Sequence, residues 1–297
     1  MLLSLVAISL MMAGAVAIHL YTRSRIAAVI HSALIDAGID LQYEELSTSL
    51  LAQRANLRGL RMRADAATGR CRDCFLKLEH ARLDWSPRFD PSRITVTVPA
   101  QDVRLSVGEL NYRSQADGQA NLNKALLQSL RVFARAGSFK GPDDTRCALS
   151  LSLELNGTQG AERASQVTGR LNARGDNAAP LIAALGARAA LQWMFPEALD
   201  AQFSLSTALA VSAAAVELTD IQAHVGSLDL SGGLTWNEVD GARGALLVST
   251  GVRRVGLKFE QGDVKPELTP SQDWLSRALS RKPSHVDAAS GAGAPRR

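Results

Sequence analysis

The feature that most constrains the fold is an alternation of apolar and polar residues that runs through most of the chain after residue 38. Leu149, Leu151, Leu153 and Leu155 alternate with serines and a glutamate, because Ser150, Ser152 and Glu154 stand between them. Successive side chains of a β-strand point to opposite faces, so a period of two is typical of half-buried antiparallel strands. The same period recurs at 60–64, 94–98, 103–107, 167–173, 203–211, 228–236 and 255–259.

This pattern predicts a mainly β fold. We expect residues 39–262 to form a curved, groove-like antiparallel sheet, with the four leucines at 149–155 as a candidate apolar groove on its concave face. Within 76–85 the alternation changes phase, and a β-bulge near His80 would restore it.

Three short segments depart from the period of two. Leu122, Leu126, Leu130 and Phe133 recur at helical spacing and predict a helical insert near 121–137. A second helix is predicted near 180–195, where a proline opens an apolar run. In the tail, 263–297, we expect a short helix at 270–281 followed by a disordered end rich in Ala, Gly and Ser.

The first 22 residues contain no charged side chain. As a helix they would rise about 33 Å, which matches a hydrocarbon core of roughly 30 Å. We therefore predict an uncleaved transmembrane anchor over 1–22 and a stalk helix over 23–38. A cleaved signal peptide is the alternative, because Ala15-Val16-Ala17 resembles a cleavage site. Arg23 and Arg25, taken alone, would favour a cytoplasmic body under the positive-inside rule.

Composition and motifs exclude several functional classes. The net charge of +4, from 33 Lys+Arg against 29 Asp+Glu, is too small a bias to indicate a nucleic-acid binder. The sequence contains no HExxH, GxSxG or GxxxxGK[ST] motif, and its five histidines are scattered. We predict a non-enzymatic protein with no cofactor and no metal. An active site assembled from distant residues is the alternative.

Cys71-Arg72-Asp73-Cys74 is the sharpest local motif. We predict a local disulfide between Cys71 and Cys74, or unpaired thiols. The alternatives are a bridge from one of them to Cys147, a zinc site completed by Cys147 and His80, and a redox motif. A redox motif needs a βαβ context that this region lacks.

Residues 54–93 carry ten Lys and Arg residues against five acids, soon after the predicted stalk. Arg58, Arg61 and Arg63 are candidate contacts to anionic lipid headgroups. The alternative is an ordinary solvated polar face of amphipathic strands.

Three parts of the chain resemble one protein family. They are the N-terminal span leading into a helix, the stretch 37–47 (AGIDLQYEELS) with 57–62 (LRGLRM), and the stretch 228–236 (LDLSGGLTW). Together they resemble the AsmA-like family of Gram-negative envelope proteins, which is related to the bridge-like lipid-transfer proteins.

The resemblance implies a single-pass anchor in the bacterial inner membrane, a body in the periplasm and a curved sheet whose apolar inner face holds acyl chains. The expected function is handling a phospholipid or another envelope lipid, or assisting outer-membrane biogenesis, with the membrane and envelope proteins as partners. The alternative is a structural accessory subunit of an envelope or secretion complex. Ten to twelve strands would span roughly 50–55 Å, too short for a lone bridge between two membranes.

Overall fold

The computed structural model describes residues 39–49, 53–64, 75–85, 93–107, 109–123, 126–158, 166–212, 215–237, 241–251, 253–260, 263–271 and 273–280. These residues form a fifteen-stranded antiparallel sheet and a few short helices, so the mainly β prediction is confirmed. The strands are β1 Ile39–Gln42, β2 Glu45–Ser49, β3 Arg54–Ala64, β4 Phe75–Trp85, β5 Arg93–Val107, β6 Leu110–Asn123, β7 Leu126–Lys140, β8 Arg146–Thr158, β9 Gln166–Gly175, β10 Phe203–Val211, β11 Val216–Val225, β12 Leu228–Asn237, β13 Gly241–Thr250, β14 Arg253–Glu260 and β15 Asp263–Glu267.

The sheet is a continuous meander. Each strand from β3 to β14 pairs with the next strand along the chain. β1 and β2 lie end to end along one edge of β3, both antiparallel to it and in one register, and a bend at Glu44, opposite Gly59, separates them. Gly59 has a φ of +65°, a left-handed conformation that glycine adopts without a steric penalty.

The short helices occupy two places. Helix α1 (Ala179–Ala184), helix α2 (Arg188–Met194) and a 3-10 turn (Pro196–Ala198) stand between β9 and β10 and overlap the segment predicted near 180–195. Helix α3 (Trp274–Ser280) lies within the segment predicted at 270–281.

The helical insert predicted near 121–137 is wrong, because this segment belongs to β6 and β7. Leu122, Leu126 and Leu130 stand four residues apart, and an even spacing fits the period of a strand as well as that of a helix. Strand β7 is bonded to a neighbour on both edges, and these two ladders outweigh the weak local helical pattern.

The register separates an apolar face from a polar face across the whole sheet. Residues that pair directly in an antiparallel ladder point to the same face. The four predicted leucines pair with Gly175, Ala173, Leu171 and Gly169 of β9. Glu154 lies on the opposite face and pairs with Arg131 and Arg170. We call the two sides the apolar face and the polar face.

Two core clusters lie on the apolar face. The first is formed by strands β1 to β4, and the second joins β7 to β14 with α1 and α2. Leu257, Val248 and Phe259 of the second cluster are almost completely buried. Helix α3 instead covers the polar face at β12 to β14, where a Cβ added to Gly256 would lie 2.6 Å from the Trp274 ring.

The bulge predicted near His80 is confirmed. The register between β4 and β5 shifts between Lys77 and Arg82, which returns Leu76 and Leu83 to the same face. Further shifts occur in the β5–β6, β6–β7, β7–β8, β10–β11 and β11–β12 ladders. Because a bulge bends its strand and increases its twist, these shifts alter the local direction of the sheet at several strands.

Candidate binding face

Part of the apolar face belongs to neither core cluster. Its side chains are half-buried, apart from Trp236, which is 48% exposed. They run across β7 to β12 in direct register, for example from Val132 through Leu153 to Leu171. With about 4.8 Å between strands, they span about 24 Å. We call this surface the uncovered strip, and it consists of Leu130, Val132, Leu153, Val167, Leu171, Leu209, Val211, Val216 and Trp236.

The four leucines predicted as a groove differ in their surroundings. Leu149 and Leu155 are buried, with 6% and 8% of their surfaces exposed. Leu151 is half-buried and packs against the second core cluster. Leu153 is also half-buried, but it lies in the uncovered strip between Val132 and Leu171. Leu153 is therefore the predicted residue best placed to contact a ligand.

Three polar side chains of the described residues are buried, and all three lie on the apolar face at register shifts. Gln101 accepts the His80 N–H at 2.6 Å and donates to the His80 carbonyl. The Ser114 hydroxyl donates to the Arg135 carbonyl at 2.9 Å, and the Thr207 hydroxyl donates to the Thr219 carbonyl at 2.8 Å. Each therefore replaces a backbone partner that the bulge removes.

The sequence did not reveal this role because the backbone group that each side chain binds belongs to another strand. On the described part of the apolar face, these three hydrogen-bonding groups serve the backbone. The surface left for a ligand is apolar, so the contacts that it offers are chiefly hydrophobic.

The arginines predicted to contact headgroups lie on the polar face of β3, opposite acids of the edge strands. Arg58 pairs with Glu45, and Arg63 pairs with Asp40. Arg61 lies 3.6 Å from the Glu44 carboxylate. The count of charges over residues 54–93 does not include these acids, because they precede residue 54 in the sequence. The three arginines thus form a more balanced surface than the local charge indicates.

Arg61 also begins a row of four cations in direct cross-strand register with Lys77, Arg104 and Arg113. Like charges directly opposite each other are unfavourable in a sheet. The Arg113 guanidinium donates to both oxygens of Asp102 at 2.7 to 3.0 Å, and this hydrogen bond lowers the pKa of Asp102. Asp102 therefore remains ionised and offsets part of the charge of the row.

The structure distinguishes among the alternatives given for the three cysteines. Cys71 and Cys74 lie outside the described residues, so their pairing remains a prediction. Cys147 is a free, buried thiol whose pKa is raised to about 11 by burial. The bridge to Cys147 is therefore absent from the structure. Zinc ligation by Cys147 and His80 also fails, because they lie on opposite faces of strands β8 and β4. The described residues contain no cluster of three potential metal ligands.

The register aligns Ser204, His224 and Asp229 on the polar face of β10, β11 and β12, which the sequence did not predict. The His224 Nδ1 lies 2.5 Å from an Asp229 carboxylate oxygen, but their side chains are 71% and 66% exposed. The neighbouring backbone N–H groups belong to strand ladders, and such groups are not free to stabilise an oxyanion. We interpret the row as a solvated, hydrogen-bonded His–Asp pair beside a serine.

The predicted anchor at 1–22, the stalk at 23–38 and the end of the tail at 281–297 lie outside the described residues. Within the ranges that are described, no helix combines the length and the apolar character needed to cross a membrane. Comparison with protein-family models, with curated proteins and with solved structures finds no match. Inferences about function therefore depend on the residues and contacts given above.

Proposed function

We propose that this protein is an AsmA-like protein, anchored in the bacterial inner membrane with its body in the periplasm, that holds lipid acyl chains against the uncovered strip. In this role it handles envelope lipid or assists outer-membrane biogenesis without performing chemistry. The observation that carries the proposal is the half-buried apolar surface across six strands, on a face whose buried polar side chains are occupied by backbone groups.

An apolar surface that stays partly exposed to water is unfavourable unless something covers it. Large contiguous apolar patches are rare on monomeric proteins and mark interaction sites. An acyl chain suits the strip because it is apolar and needs no hydrogen bond. Each buried methylene contributes about 0.8 kcal/mol, so about ten methylenes would contribute about 8 kcal/mol before the cost of ordering the chain.

The test compares two adjacent substitutions on β8 that introduce the same charge on opposite faces. Leu153→Asp places a carboxylate in the uncovered strip, where partial exposure lets it hydrate. Ser152→Asp places one on the polar face and is the control. The full chain is extracted in detergent, the lipids that co-purify are quantified by mass spectrometry, and the melting temperature of each variant is measured.

We expect Leu153→Asp to lose most of the co-purifying lipid and to melt within about 2 °C of the wild type, since partly exposed sites tolerate substitution. Ser152→Asp should retain the lipid. A collapsed melt for Leu153→Asp would identify a closed core and favour the accessory-subunit alternative. A stable Leu153→Asp variant with unchanged lipid would refute the proposed binding face.

A further inference from the structure

A second candidate site lies at the turn that joins β13 to β14. A cavity of about 1040 Å³ opens there, away from the uncovered strip. Its walls come from four separate parts of the chain: the end of α2 with Trp193, Asp229 of β12, the turn with Arg253 and Arg254, and the segment before α3 with Leu268. No local sequence pattern could have indicated it, because these segments meet only in the fold.

Apolar side chains that are exposed to water line this cavity. Trp193 is 74% exposed and Leu268 is 55% exposed, more than any other large hydrophobic side chain of the described residues. Both border the same cavity, beside Met194 and Pro270. Both side chains therefore offer apolar surface to a molecule bound in the cavity.

The same cavity carries positive charge without an acid committed to neutralising it. Arg253 and Arg254 are exposed, and no ion pair joins either to another described residue. Asp229 is the acid among the described lining residues, and its carboxylate is already hydrogen-bonded to His224. The two side chains extend from opposite faces of β14 where the strand leaves the turn, and both border the cavity, so an anion at this end of the sheet can meet both guanidinium groups.

We propose that this cavity binds an anionic amphiphile, with a phosphate group held by Arg253 and Arg254 and an apolar stem against Trp193 and Leu268. The planar guanidinium fork matches the oxygens of a phosphate and can donate two parallel hydrogen bonds. Trp combines a large apolar ring with one N–H donor, which suits the boundary between a headgroup and its chain. The site does not depend on the uncovered strip, since none of the strip residues lines it.

The test titrates the full chain with short-chain lipids and follows binding by native mass spectrometry. The probes are dihexanoyl phosphatidylglycerol, dihexanoyl phosphatidylcholine and inorganic phosphate. The variant is Arg253→Gln with Arg254→Gln. The matched control is Arg104→Gln with Arg135→Gln, which removes the same charge from exposed positions on β5 and β7. Thermal melts verify that both double variants are folded, as expected for exposed arginines.

We expect phosphatidylglycerol to bind the wild type more tightly than phosphatidylcholine does. The Arg253 and Arg254 double variant should bind phosphatidylglycerol about tenfold more weakly or worse, while the control keeps wild-type affinity. Trp193→Ala should weaken phosphatidylglycerol binding and leave phosphate binding unchanged.

Three outcomes would overturn the proposal. Equal binding by the Arg253 and Arg254 double variant would remove the anion site. Equal weakening in the control would indicate a general charge effect. Inorganic phosphate binding as tightly as phosphatidylglycerol would show that the ligand is a free phosphate compound rather than an amphiphile. Leu153→Asp should leave this binding intact, so failure of the cavity and failure of the uncovered strip are distinguishable.

Discussion

Replacing Thr207 by valine tests whether the buried polar groups of the apolar face serve the backbone. Thr207 is only 2% exposed, and its hydroxyl donates to the Thr219 carbonyl at 2.8 Å across the register shift between β10 and β11. Valine keeps the branched shape of the side chain and removes only the donor.

The expected loss of stability follows from the Thr219 carbonyl, which loses its hydrogen-bond donor in Thr207→Val. A buried acceptor without its donor costs about 1 to 3 kcal/mol, because the low-polarity surroundings supply no replacement. For a domain of this size, each kcal/mol lowers the melting temperature by about 2 to 4 °C, so the expected loss is about 2 to 12 °C.

The assay is urea denaturation and thermal melting of the full chain in detergent, with Ser206→Ala as the control. Ser206 is the adjacent residue, lies on the polar face and is half-exposed, so its loss should cost less than about 0.5 kcal/mol. Equal stability of Thr207→Val and the wild type would refute the reasoning. The Thr207 hydroxyl would then be free to hydrogen-bond a ligand, and the surface offered to a ligand would not be purely apolar.

Two further predictions concern titratable groups. Hydrogen bonds from Lys258 and Lys265 lower the pKa of Glu260 from 4.5 to about 2, so its contribution to stability is present above pH 4.5 and is lost as the pH falls toward 2. When the pH is lowered over that interval, Glu260→Gln should therefore lose less stability than the wild type. Equal losses in the two proteins would contradict the pairing. Burial raises the pKa of Cys147 to about 11, so a thiol reagent at pH 8 should label this cysteine only after the protein is denatured. The experiment uses a Cys71→Ser, Cys74→Ser variant, and rapid labelling of its folded form would contradict the burial of Cys147.

The sequence predicts the sheet and its two faces well because a period of two indicates both that a segment is a strand and which of its side chains share a face. Once a strand is recognised, the parity of its leucines determines which side chains share a face, as at Leu149 and Leu155. The bulge near His80 was also predictable, since long regular runs flank the change of phase.

Other features depend on contacts that a single strand does not contain. The error at 121–137 arose because even spacings satisfy two periods, and because Phe133 lies on the polar face with 41% of its surface exposed. The acids opposite Arg58 and Arg63 belong to other strands, so a local charge count omits them. The role of Gln101 likewise depends on a backbone group twenty-one residues away.

The meander also has a kinetic consequence. Because every strand from β3 onward pairs with its successor, most of the ladder closes short loops and the contact order of the sheet is low for a β protein. A chain that emerges gradually from its N-terminus can therefore add strands one at a time, without waiting for a distant partner. The growing edge at each moment is the strand most exposed to pairing with another molecule. Completion at β15, which carries Pro266, ends the sheet in a strand that cannot offer a full set of amide donors to a further partner.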